Sequence, residues 1–186
     1  TNNATTASGN LNLTTAGTLA IAVTSVTGDM SLTSNGAITD TGTITVSGTT
    51  TLASGASNNI DFDTASNNFG TVIVTNGNNV VLDDTNAIIL GASSVSGTLG
   101  VTAGGTISDS GNVAVAGNVT LTTDANNGVI NMGTLQQSGG DLILVTNGNG
   151  AATVVNNAGS DFGTSNVGGA LSATASAGNI TQNGGA

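Results

Sequence analysis

Ten carboxylates are the only ionisable side chains in this sequence, and all ten are aspartates: Asp29, Asp40, Asp61, Asp63, Asp83, Asp84, Asp109, Asp124, Asp141 and Asp161. His, Lys, Arg, Cys and Tyr are absent. General acid–base catalysis by any of those groups is therefore excluded, as are Ser/His/Asp and Cys/His nucleophilic arrangements. Glycoside hydrolysis needs only two carboxylates at a suitable separation. In "DFD", Asp61 and Asp63 fall on one face of a strand, whereas the adjacent Asp83 and Asp84 point to opposite faces. Against that chemistry stands the ordinary use of aspartate at strand ends and turns, where it accepts hydrogen bonds from nearby backbone. The expectation is no catalytic residue and no enzymatic activity.

Metal binding is weighed the same way. Ca²⁺ takes oxygen ligands from Asp, Asn and backbone carbonyls, and "VLDDTN" makes Asp83, Asp84 and Asn86 the densest set of candidate ligands. The glycine-rich calcium nonapeptide and the EF-hand loop are both missing. Weak adsorption of Ca²⁺ is expected, without a dedicated metal site or another cofactor. The net charge of −10 has no positive side chain to oppose it. Nucleic acid is thus excluded as a partner, since phosphate affinity depends on Lys and Arg.

The elements that must position these groups are short and numerous. Apolar clusters such as "LNL", "LAIAV", "MSL", "ITV", "VIV", "VVL", "VAV" and "LILV" alternate with Gly, Asn, Ser, Asp and Thr. Clusters of that length, rich in β-branched residues and bounded by turn formers, read as strands. No window keeps a helical apolar face. The phrases also return in phase: "GAITDTGTITVSGTTTL" from Gly36 reappears as "GTISDSGNVAVAGNVTL" from Gly105, so that Ile107 matches Ile38 and Asp109 matches Asp40. A third, partial copy begins at Gly169, giving repeats over 28–96, 97–168 and 169–186.

Phased repetition favours a solenoid over an antiparallel sandwich, although the Asn-Gly pairs at Asn76, Asn127 and Asn147 are hairpin signals. The expected fold is all-β: one parallel β-helix over residues 1–186, right-handed and three-sided, with about 20–23 residues per rung. The upper figure comes from dividing the long phrase into three rungs, and roughly eight such rungs would stand about 40 Å tall. Gly and Asn supply the corners. Val, Ile, Leu and the three phenylalanines, Phe62, Phe69 and Phe162, would stack inside.

"SGTLGVTAGGTISDSG", "VSGTTTLASGASNNIDFDTASNNFG" and "NNVVLDDTNAIILGASSVSG" resemble the repeats of filamentous-haemagglutinin-like large exoproteins of Gram-negative bacteria. That resemblance implies two-partner secretion, a long right-handed parallel β-helix, and service as a surface adhesin or fibre. The family's N-terminal secretion domain is not recognisable here, as expected of an internal segment of a longer array. Polysaccharide lyases share the fold, but their chemistry implies Arg, Lys or Tyr as proton acceptors, none of which this chain has. "TITVSGTTTL" resembles the Thr arrays of ice-binding solenoids, yet "TIT" at Thr43 becomes "NVA" at Asn112 in the next copy, which breaks the lattice.

The functional expectation is the shaft of an extracellular or cell-surface bacterial adhesin or fibre, built by rung stacking. Its partners are its own copies, end to end, or a continuation of the same chain. The alternative is a binding module whose flat Thr/Asn/Asp face contacts glycans or host receptors. Asn-x-Thr acceptors at Asn3, Asn12, Asn118 and Asn179 are no more than this composition predicts by chance. No stretch approaches the roughly 18 apolar residues that would insert into a membrane.

Overall fold

A computed structural model describes residues 5–64 and 66–183, so the Asn3 acceptor lies outside the described residues. The chain is an all-β solenoid of parallel strands stacked in about nine coils, and no helix occurs among the described residues. Two sheets, of thirteen and nine strands, run the length of the stack.

The basic coil is legible in residues 11–26. A five-residue strand, Leu11–Thr15, is followed by a turn, a three-residue strand, Leu19–Ile21, a two-residue corner, and another three-residue strand, Thr24–Val26. Each coil thus contributes one long and two short segments. The next coil repeats them in Met30–Ser34 and Ile38–Asp40, then in the ten-residue Ile44–Ala53, which fuses a short segment to the long one that follows.

Strand periodicity puts every second side chain inside. In Met30–Ser34, residues Met30, Leu32 and Ser34 are buried, and in Val80–Asp84 the buried residues are Val80, Leu82 and Asp84. Parallel in-register pairing then stacks like on like. One interior column runs Leu19, Ile38, Ile60, Val80, Leu99, Val119, Leu142 and Phe162. Its steps are uneven, and the longest lead from Ile38 to Ile60 and from Val119 to Leu142. Fully buried aliphatic side chains contribute about 1.5–3 kcal/mol each, so a thin core suffices when it is continuous. Phe62 and Phe69 stack at a 5.9 Å centroid distance inside it, and Phe162 is buried as well.

The long phrase is not three coils but three and a half. Seven coils carry the column from Leu19 to Phe162, two residues past Ser160, which is the counterpart of Leu19 two repeats on. Long and short segments consequently change sheets at each repeat. The long strands Leu11–Thr15 and Met30–Ser34 belong to the thirteen-stranded sheet, Val80–Asp84 and Leu99–Ala103 to the nine-stranded sheet, and Ala152–Asn156 and Leu171–Ala175 to the thirteen-stranded sheet again. The first short strand of each coil does the reverse, as in Leu19–Ile21, Ile88–Leu90 and Ser160–Phe162. The phrase "ITD" therefore recurs as "ISD" on the other sheet.

Candidate functional site

The polar chemistry of the solenoid is concentrated at its corners. Several long strands carry an inward polar residue at or near their end that ties down the following turn. Ser34 Oγ donates to Gly17 O and accepts from Gly36 N, Thr146 Oγ1 donates to Gly150 O, and Asn156 Nδ2 donates to Gly159 O. A buried polar group is tolerated only when so bonded. At another corner, a Gly-Asn or Gly-Asp pair links successive coils. Asn10 Oδ1 accepts from Asp29 N at 2.9 Å, and Asp29 Oδ1 accepts from Thr49 N at 2.8 Å. The partner residue there is glycine because a Cβ at Gly28 or Gly48 would collide with the preceding coil, including that same Asx oxygen.

Most of the ten carboxylates enter this scheme. Asp40, at the end of its short strand, accepts from Thr64 Oγ1 at 2.8 Å and from Asn67 Nδ2 at 2.6 Å, while Asn67 Oδ1 accepts from Ile44 N at 2.8 Å. Its counterpart Asp109 accepts from Gly133 N, Thr134 N and Thr134 Oγ1 at 2.9, 2.7 and 3.0 Å. Both carboxylates clamp the next coil where it bulges outward. The coils concerned, from Ile38 to Ile60 and from Ile107 to Ile130, are among the longest in the stack. Asn183 Nδ2 donates to both Asp141 and Asp161, at 2.9 Å each.

Asp83, Asp84 and Asn86 do not converge. Asp84 points inward and is 1 % exposed, accepting from Phe69 N at 2.6 Å and Asn86 N at 2.7 Å. Burial raises its pKa, the two backbone N–H donors lower it, and Asp83 raises it, with a net upward shift. Asp83 points outward from the same strand, and Asn86 is exposed in the turn beyond. Among the described residues no group of three acidic ligands is placed to hold a metal.

The outer face of the nine-stranded sheet does gather charge. The Asp61 pKa is raised by desolvation first, then by Asp63 and Asp40. That of Asp83 is raised by desolvation first, then by Asp124, Asp63 and Asp40. Asp61 sits beneath Val81 in the ladder, on the outside of a strand whose Ile60 and Phe62 face the core. Asp61 and Asp63 thus share the outer side of the solenoid, Asp63 one residue past the strand end. Among the described residues, a hollow of about 660 Å³ is lined by Phe162, Leu171, Ala173 and Ile180, and another of about 460 Å³ by Gln137, Asp141, Ser160 and Asp161.

Asp84 is accompanied at the joints between repeats by Ser93, Asn156 and Ser165, which sequence reading passed over. At the first joint Asp84 accepts from Phe69 N, and Ser93 Oγ accepts from Val74 N at 3.0 Å while donating to Gly91 O. At the second, Asn156 Oδ1 accepts from Gln137 N at 2.9 Å, and Ser165 Oγ accepts from Leu144 N at 3.1 Å while donating to Gly163 O. Asp84 and Asn156 hold equivalent places in successive repeats, and Ser93 and Ser165 are separated by the same interval. That shared spacing was the available signal.

Corners that cap, carboxylates that clamp and joints that recur define a repeat β-solenoid whose polar groups chiefly serve stacking. The chain belongs to the family described as repeats of unknown function (DUF5649), whose model matches residues 8–76, 77–142 and 148–186. No curated protein and no solved structure matches it.

Proposed function

We propose that this chain is a structural shaft in an extracellular or cell-surface bacterial adhesin or fibre of the filamentous-haemagglutinin-like type. The observation that carries the reading is the use of polar side chains along the stack. Asp29, Asp40, Asp84 and Asp109 are spent holding one coil to the next or closing a turn. A one-dimensional stack of this kind gains length by adding units to the same interface. The absence of Lys and Arg leaves trypsin-like proteases without a cleavage site, an advantage outside the cell. The shaft is non-catalytic, requires no cofactor, and is continued by further coils of its own chain or by its own copies.

The test is immunogold electron microscopy of whole and thin-sectioned source cells with an antibody raised against the folded chain. Gold along surface filaments is the expected result; gold confined to the cell interior would overturn the reading. A second reading, a binding module, is favoured by the outward ladder of Asn12, Ser31 and Thr51, a row of small polar groups on the thirteen-stranded sheet. Glycans or receptor surfaces are its partners, and saturable binding of the isolated chain to a glycan panel would support it.

A further inference from the structure

The half-coil phase and the paired joints carry one step more. We infer that the long repeat, measured from one joint to the next, and not the single coil, is the unit in which this solenoid gains and loses length, and that each repeat gained or lost moves everything beyond it onto the opposite sheet. The inference stands apart from the shaft reading, since it concerns only how coils fit.

The two joints are the same object built on exchanged sheets. In each, a long strand lies over the short segment of the coil below: Val80 over Ile60 in the nine-stranded sheet, Ala152 over Ile130 in the thirteen-stranded one. In each, a short strand also lies over a long one, Leu90 over Val72 and Phe162 over Leu142. Such crossings leave a buried backbone N–H in the lower coil facing a site where its usual partner is out of register. An Asx side chain satisfies one of these, at Phe69 and Gln137, and a serine hydroxyl satisfies the other, at Val74 and Leu144. A buried donor left without an acceptor is costly, so these four residues mark where repeats join.

Deleting residues 77–148 tests this directly, because it removes one repeat and joins Asn76 to Asn149. Ala152 and Val154 then settle on Ile60 and Phe62, Asn156 takes the N–H of Phe69, and Ser165 takes that of Val74. Deleting residues 80–98 instead removes one whole coil. Register is kept, but Ala103 replaces Asp84 and Val113 replaces Ser93, and neither side chain can accept a hydrogen bond.

The readout is a disulfide. The chain has no cysteine, and outward neighbours on adjacent parallel strands stand about 4.8 Å apart, within disulfide range. Asp61→Cys with Thr153→Cys is expected to crosslink in the 77–148 deletion and not in the full chain. In the full chain Thr153→Cys crosslinks with Asn131→Cys, its ladder neighbour. A folded deletion variant without the Asp61→Cys/Thr153→Cys crosslink, or one that fails to fold, overturns the inference. Melting gives a second arm. The 80–98 deletion retains more coils, so a uniform stack would make it the more stable of the two. The expected order is the reverse, and a higher melting temperature for the 80–98 deletion overturns the assignment of the joints.

Discussion

Asp84 offers the sharpest test of whether buried carboxylates serve the stack. Its two oxygens accept the N–H groups of Phe69 and Asn86 at 2.6 and 2.7 Å, and its side chain is almost wholly buried. In Asp84→Ala the Phe69 donor has no acceptor and no route to water, since Phe69 is 1 % exposed, while Asn86 is in an exposed turn where water takes over. One orphaned buried donor costs about 1–3 kcal/mol, and the small cavity adds to that, for a total of about 2–4 kcal/mol. In a chain of this length that lowers the melting temperature by roughly 5–12 °C. Asp84→Asn behaves differently, because an amide oxygen still accepts from Phe69 and the buried charge is gone, as at the matching Asn156. Its stability at pH 7 is expected within about 1 kcal/mol of wild type, on the favourable side, because burial and Asp83 both oppose the charged form. With no Trp or Tyr, the assay is far-ultraviolet circular dichroism during thermal and urea unfolding. Equal loss in both variants, or no loss in Asp84→Ala, would refute the reasoning.

Acidification should stabilise the protein. Asp61, Asp83 and Asp84 all have pKa values raised above the ordinary 3.8. Their contribution is fully present below that value and is lost as pH rises through the folded-state pKa. The melting temperature should therefore climb between pH 7 and about pH 4, and a monotonic fall over that range would contradict the shifts. Salt at pH 7 should recover only part of the effect, because desolvation leads the causes for all three groups and ions screen only the repulsion. Gly36→Ala should destabilise strongly, since its Cβ would lie 2.7 Å from Thr18 N in the adjacent coil, whereas Gly17→Ala meets nothing within 4 Å and should be neutral or slightly stabilising; equal melting temperatures would count against the packing described. Phe62→Ala removes a fully buried ring stacked on Phe69 and should cost about 3–5 kcal/mol in urea unfolding, and a loss below about 1 kcal/mol would mean that the core is not continuous there.

Much of this architecture could be read from the residues. Alternating apolar side chains gave strands such as Met30–Ser34, and phased phrases gave stacking, because inward residues must meet their like in the next coil. The coil length was harder, since the natural division of the long phrase by three hides a half-coil shift that becomes visible only when Leu19 is followed along its ladder to Phe162. The opposite orientation of Asp83 and Asp84 followed from strand geometry, but the partners of Asp84 did not. Phe69 is distant from Asp84 in sequence and reaches it only because a long strand overlies a short one at the joint. Asn67 is hidden for a similar reason: its amide reaches back to Asp40 and Ile44, both in the preceding coil, and nothing in its immediate sequence marks it. The approach of Asp63 and Asp83 depends likewise on the ladder, which sets Val81 and Leu82 over Asp61 and Phe62 in the coil before.

The central claim is a continuous stack of parallel coils in which long strands change sheets every three and a half coils. Electron cryomicroscopy of the protein as isolated from its source, at a resolution that separates strands, tests it most directly. The account predicts a rod with a rung spacing near 4.8 Å and long strands that switch sides about every 17 Å along the axis. A compact particle without that spacing, or long strands that stay on one sheet throughout, would contradict it.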